Sequence, residues 1–410
     1  MEPVVHAIDA GAEIRRIEDA EGYIASICFK TGPPASIGVE IEQLVHDREH
    51  PTRPPDVAVL AEVLQGQSGL RLALGPGGQL NLVARPQPSL ARLHDTVNAE
   101  IAHVERLVAA RGLRLAGSGI DPHRAPRRVL NSPRHHAMAA SFARRSGDGR
   151  TLMYSAAGLR PGLDAGPPGE LAARWAAAHE VGPTMLAVFA NSPVQAGRDT
   201  GWASTRMRAW YGIDPARAGT VPTGPDPAAA WARYALRAPL LCVRRPGASW
   251  TVRPGVTFAD WIGGKGTGGK LPARPTYDDL DYHLGTLFPL VRPRGHLQIR
   301  YLDAQPGRDW FAPVAILAAL LADSSTIDTA RDLAAPAAGR WVEAARYGVT
   351  DAVIATTAPP LLDLALRTLE RDGLRQALLD EVAATVEHRF HGVSATGSSP
   401  TPPRRCPPGR

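Results

Sequence analysis

The 410-residue chain is poor in cysteine, aromatic residues and lysine. Its three cysteines, Cys28, Cys242 and Cys406, are scattered and odd in number, which excludes a disulfide framework and a cysteine-built zinc site. Such usage fits a reducing cytosol, so a cytoplasmic protein is expected. No apolar run reaches the ~18 residues that read as a membrane span. The first residues carry acids early and lack the apolar stretch of a signal peptide. No basic stripe with interleaved aromatics is present, so no nucleic-acid partner is expected. Of the net charge of +6, three units come from Arg404, Arg405 and Arg410, and the remainder of the chain stands near +3.

What is present is 44% hydrophobic residues, enough for a sizeable core. Ile14, Ile17, Tyr23, Ile24 and Ile27 share one side of a helix over Ala12–Phe29. Ile37–Leu44 alternates with period two. That predicts a strand with Ile37, Val39 and Ile41 on one side and Glu40 and Glu42 on the other. Leu70–Leu74 and Gln79–Ala84 read as strands joined by a hairpin turn at Gly75-Pro-Gly-Gly78. A further strand is expected near Arg114–Ser118, an extended segment over Leu152–Leu163 and a short strand at Gln298–Leu302. Helices are expected over Asp56–Gln65, Ser89–Arg111, Pro133–Ala143, Pro168–Phe189 and Trp310–Ala322, over most of Ile327–Ala345, and over Leu361–Phe390. The pattern is α+β, with a mostly antiparallel sheet whose polar side lines a pocket. Residues 1–391 are expected to form a single domain. Residues 392–410, rich in Pro, Ser and Arg, are expected to be a disordered tail.

Three local patterns suggest chemistry without carrying it. Gly264-Lys-Gly-Thr-Gly-Gly-Lys-Leu271 approaches a phosphate loop. It ends on Leu271, where a magnesium-reaching hydroxyl is required, and so reads as a flexible surface loop. His46 and His50 are four apart, but Pro51 follows at once, and a solvated loop is the plainer reading. His135 and His136 are adjacent, so on a helix their rings diverge.

Other blocks are more specific. They are Gly182-Pro-Thr-Met-Leu-Ala-Val-Phe-Ala-Asn-Ser-Pro193, Gly201-Trp-Ala-Ser-Thr-Arg-Met-Arg-Ala-Trp210, Trp231-Ala-Arg-Tyr-Ala-Leu-Arg-Ala-Pro239, Tyr282-His-Leu-Gly-Thr-Leu-Phe-Pro289 and Ile299-Arg-Tyr-Leu-Asp303. With Gly38-Val-Glu-Ile-Glu42 and Pro76-Gly-Gly78, their order and spacing resemble the glutamate–cysteine ligases of the actinobacterial ergothioneine pathway. These belong to the wider carboxylate–amine ligase family, and the match runs from about residue 20 to 385. The resemblance implies a glutamine-synthetase-like fold: a curved, mostly antiparallel sheet with helices packed on one side. It also implies ATP and Mg²⁺ as cofactors and an amino-acid-like substrate whose carboxylate is activated and then attacked by an amine.

Against that pattern, acids implied as metal ligands are replaced by Gly75, Asn81 and Gln298. Arg160 and Gly162 stand where the family carries a neutral polar stretch, and Met207 replaces a glutamine. Three lost acids and one gained cation raise the formal charge of the site by four. The retained candidates are Glu40 and Glu42, with Arg160 and His136 as further catalytic candidates. Arg206, Arg208, Trp210, Arg300, Tyr301, Asn81, Gln298 and His135 are the substrate-binding candidates. No metal is expected, or Glu40 and Glu42 alone hold one. The first expectation is therefore a repurposed ligase-fold enzyme of specialised metabolism, acting without Mg-ATP on an amino-acid-derived or γ-glutamyl-like molecule. Two alternatives stand beside it: an ATP-dependent carboxylate–amine ligase making γ-glutamylcysteine or a related amide, and a non-catalytic ligand- or partner-binding protein. A monomer or a dimer fits either.

Overall fold

The computed structural model of the chain describes residues 9–32, 35–66, 68–245, 247–265 and 274–391. The tail from residue 392 and residues 266–273, which include most of the phosphate-loop look-alike, lie outside them.

The strands are β1 (Ile37–Asp47), β2 (Arg71–Leu74), β3 (Leu80–Val83), β4 (Leu113–Ala116), β5 (Gly158–Leu163), the small pair β6 (Val194–Gln195) and β7 (Arg198–Asp199), then β8 (Val291–Pro293), β9 (Leu297–Ile299) and β10 (Leu302–Asp303). Eight of them form one open sheet in the order β2-β3-β1-β5-β9-β8, with β4 added to β1 and β10 to β5. Every pairing is antiparallel. The alternation in β1 does what its sequence predicts: Val39 and Ile41 are buried, while Glu40 and Glu42 are half-buried on the other face. One continuous core joins Val39 and Ile41 to Leu93 and Val97 of the helix Leu90–Ala109 and to Ile316 and Leu320 of the helix Phe311–Leu320. The α+β class with an antiparallel sheet is thus the observed fold.

The β2–β3 hairpin turns as expected. Gly75 N–H donates to Gln79 O at 2.7 Å, and Gly78 sits at φ +86°. Gly77 is needed for a different reason: a Cβ there would lie 2.1 Å from the Tyr154 carbonyl oxygen. β5 carries Pro161 although it is a central strand, which is unusual because proline has no N–H to donate. The sheet accommodates it by splitting the neighbour. β9 pairs with Gly162 and Leu163, β10 pairs with Gly158 and Leu159, and on this side of β5 no ladder forms opposite Arg160 and Pro161, which pair only with β1. Arg300 and Tyr301 occupy the break between β9 and β10.

Several expected elements differ. The segment read as extended over Leu152–Leu163 opens as the end of a helix, Asp148–Tyr154, before β5 begins. The helix expected over Pro168–Phe189 divides into Leu171–Glu180 and Gly182–Val188. Pro183 cannot donate to the preceding turn, and Gly182 packs against Trp341 so closely that a Cβ would lie 2.1 Å from its ring. The last helical stretch starts earlier than expected, at Ala352, and contains Pro359 and Pro360 in its interior. Asp351 caps it, accepting from the N–H groups of Val353 and Ile354 at 3.1 Å each. Among the described residues this helix, Ala352–Arg371, is the one long and apolar enough by itself to cross a membrane. It buries Ile354, Leu361, Ala365 and Leu369 and packs against Phe311–Leu320. His46, read as part of a solvated loop, instead lies on β1. It is fully buried, with its Nε2 3.2 Å from Asp121 Oδ1.

Candidate functional site

The polar face of the sheet is organised by register. Glu40 of β1 is directly opposite Arg160 of β5, and Glu42 follows two residues later on the same face. The Arg160 guanidinium lies between the two carboxylates. Its Nη1 donates to Glu40 Oε2 at 3.3 Å, and its Nη2 donates to Glu42 Oε1. The other two oxygens are also occupied: Gln298 Nε2 donates to Glu40 Oε1 at 3.0 Å, and Gly158 N–H donates to Glu42 Oε2 at 2.8 Å. Burial pushes the Glu40 carboxyl up, but the charges of Arg160 and Arg294 outweigh it and hold its pKa below the ordinary 4.5. Burial likewise disfavours the Arg160 cation, and the two glutamates reverse that and raise its pKa. Asn81 is opposite Glu42 on β3, and its Oδ1 is buried with no hydrogen-bond partner.

Above this floor is a cleft of about 490 Å³ lined by Lys30, Arg71, Arg294 and His296 together with Glu40, Arg160, Asp164 and Gln298. Burial and then the neighbouring Arg294 lower the His296 pKa below its ordinary value. Lys30, Arg71, Arg160 and Arg294 face three acids, Glu40, Glu42 and Asp164, so the balance of charge favours anions. Lys30, Arg71 and His296 were not legible as site residues, because none belongs to a local motif. Arg294 had a signal, the Arg292-Pro-Arg294 triplet, but that triplet assigns no contact.

The other candidates lie elsewhere. Arg206 is fully buried beside Gly158 at the end of the polar face, where a Cβ on Gly158 would lie 2.5 Å from its Nη2; it is 3.8 Å from Asp303 Oδ1 and donates from Nη2 to Arg300 O at 2.8 Å. Asp303 is itself fixed by Asn191 N–H and by the hydroxyls of Ser192 and Ser204, at 2.9, 2.7 and 2.9 Å. Trp210 has a guanidinium near its ring from each of two arginines, Arg206 at 5.1 Å and Arg300 at 5.0 Å, and its Nε1 donates to Phe288 O. Arg300 donates from Nη1 to Leu287 O, while its Nε is buried without a partner. Burial first, and then Arg160 and Arg292, push the Arg300 pKa well below its ordinary value. Tyr301 is a core residue whose hydroxyl donates to Ala178 O at 3.2 Å. Arg208 is 3.9 Å from Asp148 on a partly exposed helix. His135 and His136 are on the helix Pro133–Ala143, where His136 Nε2 is 3.3 Å from Asn131 Oδ1. Neither histidine lines the cleft, so the structure does not bring a histidine base from this helix to Glu40 and Arg160.

The fold family implies a divalent cation on this face, and the residues do not fit one. Magnesium requires about six oxygen ligands in near-octahedral array. Glu40 and Glu42 have all four oxygens hydrogen-bonded to protein donors, one of them cationic, and the flanking Asn81 and Gln298 are neutral. Among the described residues no group of three or more His, Cys, Asp and Glu is placed to hold a metal ion.

An open antiparallel sheet, with helices on its apolar face and an anion-collecting cleft on its polar face, defines an α+β protein with a site for an anionic ligand. Comparison with known proteins narrows this. The family model for glutamate–cysteine ligase family 2 matches residues 36–400. The glutamate–cysteine ligase EgtA of Mycolicibacterium smegmatis is 41% identical over 363 residues, covering 86% of this chain and 85% of the relative. That of Mycobacterium tuberculosis is 39% identical, covering 90% and 88%. The chloroplastic glutamate–cysteine ligase of Arabidopsis thaliana is 27% identical, covering 93% and 80%. A crystal structure of a glutamate–cysteine ligase from Francisella tularensis, in complex with AMP, superposes with TM-score 0.52 at 13% identity, covering 88% of this chain and 83% of the other, and shows the shared fold. The chain belongs to glutamate–cysteine ligase family 2.

Proposed function

We propose that this chain is a cytoplasmic ATP-dependent carboxylate–amine ligase that joins the side-chain carboxylate of a glutamate-like amino acid to an amine, making γ-glutamylcysteine or a related amide. The observation that carries this reading is the cationic cleft on the polar face of the sheet, in a chain whose sequence matches a glutamate–cysteine ligase over 86% of its length. A glutamate-like acid carries two carboxylates, and Lys30, Arg71 and Arg294, which line the cleft above the Arg160 floor, suit it. In this reading the binding residues orient the acid, and the buried arginines Arg206 and Arg300 hold the break between β9 and β10 in place around Trp210. The kinship with the EgtA enzymes ranks this reading above the repurposed enzyme that the lost acids first suggest.

The test is direct. The purified full chain is supplied with Mg-ATP, glutamate and a panel of amines including cysteine, and ADP release and product mass are followed. ADP release that requires both the acid and one amine supports the ligase. Absence of ATP binding by calorimetry, with no ADP from any pair, overturns it.

A second reading, an enzyme acting on a glutamate-like or γ-glutamyl-like molecule without Mg-ATP, is favoured by one observation: Arg160 occupies the space between Glu40 and Glu42. It predicts thermal stabilisation by such acids in the absence of nucleotide.

A further inference from the structure

We infer that Arg160 is a built-in cation that takes the place of a divalent metal on the acid strand, so that this cleft engages its anionic substrate with no protein-held metal at Glu40 and Glu42. The inference rests on the cleft being the reaction site, and it goes beyond the proposed reaction by assigning the group that offsets the acid strand beneath the substrate.

Four observations carry it. The register places Glu40 and Arg160 directly opposite one another, where cross-strand side chains meet. Glu40 and Glu42 are two residues apart on one face, and the planar guanidinium fork spans both while a lysine ammonium would not. Glu40 Oε1 and Glu42 Oε2, the oxygens that Arg160 leaves, accept from Gln298 and Gly158, so the pair presents an internally satisfied floor rather than an open ligand set. Gln298 also matters by its chemistry. Its amide donates to Glu40, whereas a glutamate there would place a third carboxylate beside the first. The guanidinium is charged at every physiological pH, so this cation is neither lost to a chelator nor titrated away.

The experiment is a Mn²⁺ titration of the full chain, read by electron paramagnetic resonance. Wild type is expected to bind no Mn²⁺ that E40Q abolishes, and its thermal stabilisation by glutamate is expected to be unchanged by EDTA. The double variant R160Q/Q298E removes the donors to three carboxylate oxygens, both of Glu40 and one of Glu42, and adds a third acid. It is expected to gain one Mn²⁺ per chain, with affinity more than about tenfold above wild type, and to lose it again when E40Q is added. Stoichiometric micromolar Mn²⁺ binding by wild type that disappears in E40Q overturns the inference. A folded double variant with no gain in Mn²⁺ affinity overturns it too. If the double variant does not fold, by circular dichroism, the wild-type and E40Q titrations decide alone. Failure of ADP release with no wild-type Mn²⁺ binding removes the ligase reading and leaves this inference standing. The reverse result removes only this inference.

Discussion

At the scale of single residues, the most consequential group is Arg160. Its side chain is 17% exposed and lies between carboxylates that are 25% and 16% exposed, so removing it strands two partly desolvated charges. Arg160→Met is expected to destabilise the fold by about 3 kcal/mol, at the low end for a buried pair because of that residual exposure, measured by urea unfolding. Arg160→Lys is expected to recover only part of the loss, since a point charge cannot serve both carboxylates at once. A second residue-scale prediction concerns pH. Asp121 is pushed up by burial but pulled further down by His46 and Arg124, to about 2 from an ordinary 3.8. A depressed acid contributes stability above its unfolded pKa and loses it as pH falls through the folded one. Wild type should therefore lose about 2 kcal/mol between pH 4 and pH 2. Asp323 is depressed to about 2 as well, so melting temperatures should fall across that window in both wild type and D121N, with a shallower slope in D121N by the Asp121 share.

At the scale of elements, short-range signals were readable wherever a local rule was sufficient. The period-two run of β1 and the hairpin at Gly75–Gly78 are settled by neighbours in sequence, and so is the helix Pro133–Ala143. They misled where distant packing intervened. Pro359 and Pro360 suggest a helix that begins after them. The capped start at Asp351 and the buried face of Ala352–Arg371 hold the helix through both prolines. Local capping itself is testable. Thr276 and Asp279 form a reciprocal capping box on the helix Tyr277–Leu284, with Thr276 accepting from the Asp279 N–H. Thr276→Ala is expected to cost about 1 kcal/mol in thermal or urea unfolding.

At the scale of the whole molecule, the cleft collects positive charge from segments far apart in sequence: Lys30, Arg71, Arg160 and Arg294. Arg294→Ala should weaken glutamate binding roughly tenfold while leaving the melting temperature without ligand almost unchanged, because a lost charge-assisted hydrogen bond to an anion is worth about 1.4 kcal/mol or more. Isothermal titration against the unliganded melt separates the two effects. An Arg294→Ala protein that binds glutamate as wild type does would move the substrate off this cleft.

The sequence by itself determined the family, through blocks whose order spans most of the chain. It also determined the strand face bearing Glu40 and Glu42 and the neutral residues at Gly75, Asn81 and Gln298. These follow from residue identity and from a periodicity that each segment carries alone. Only the tertiary structure decided who partners whom. Arg160 meets Glu40 because β5 pairs with β1 across 120 residues, and Gln298 reaches the same carboxylate across 258. Arg206 and Arg300 became supports around Trp210, and His135 and His136 fell outside the cleft. Register and packing set which donor lies within about 3 Å of which acceptor, and no local pattern in one strand specifies the alignment of another.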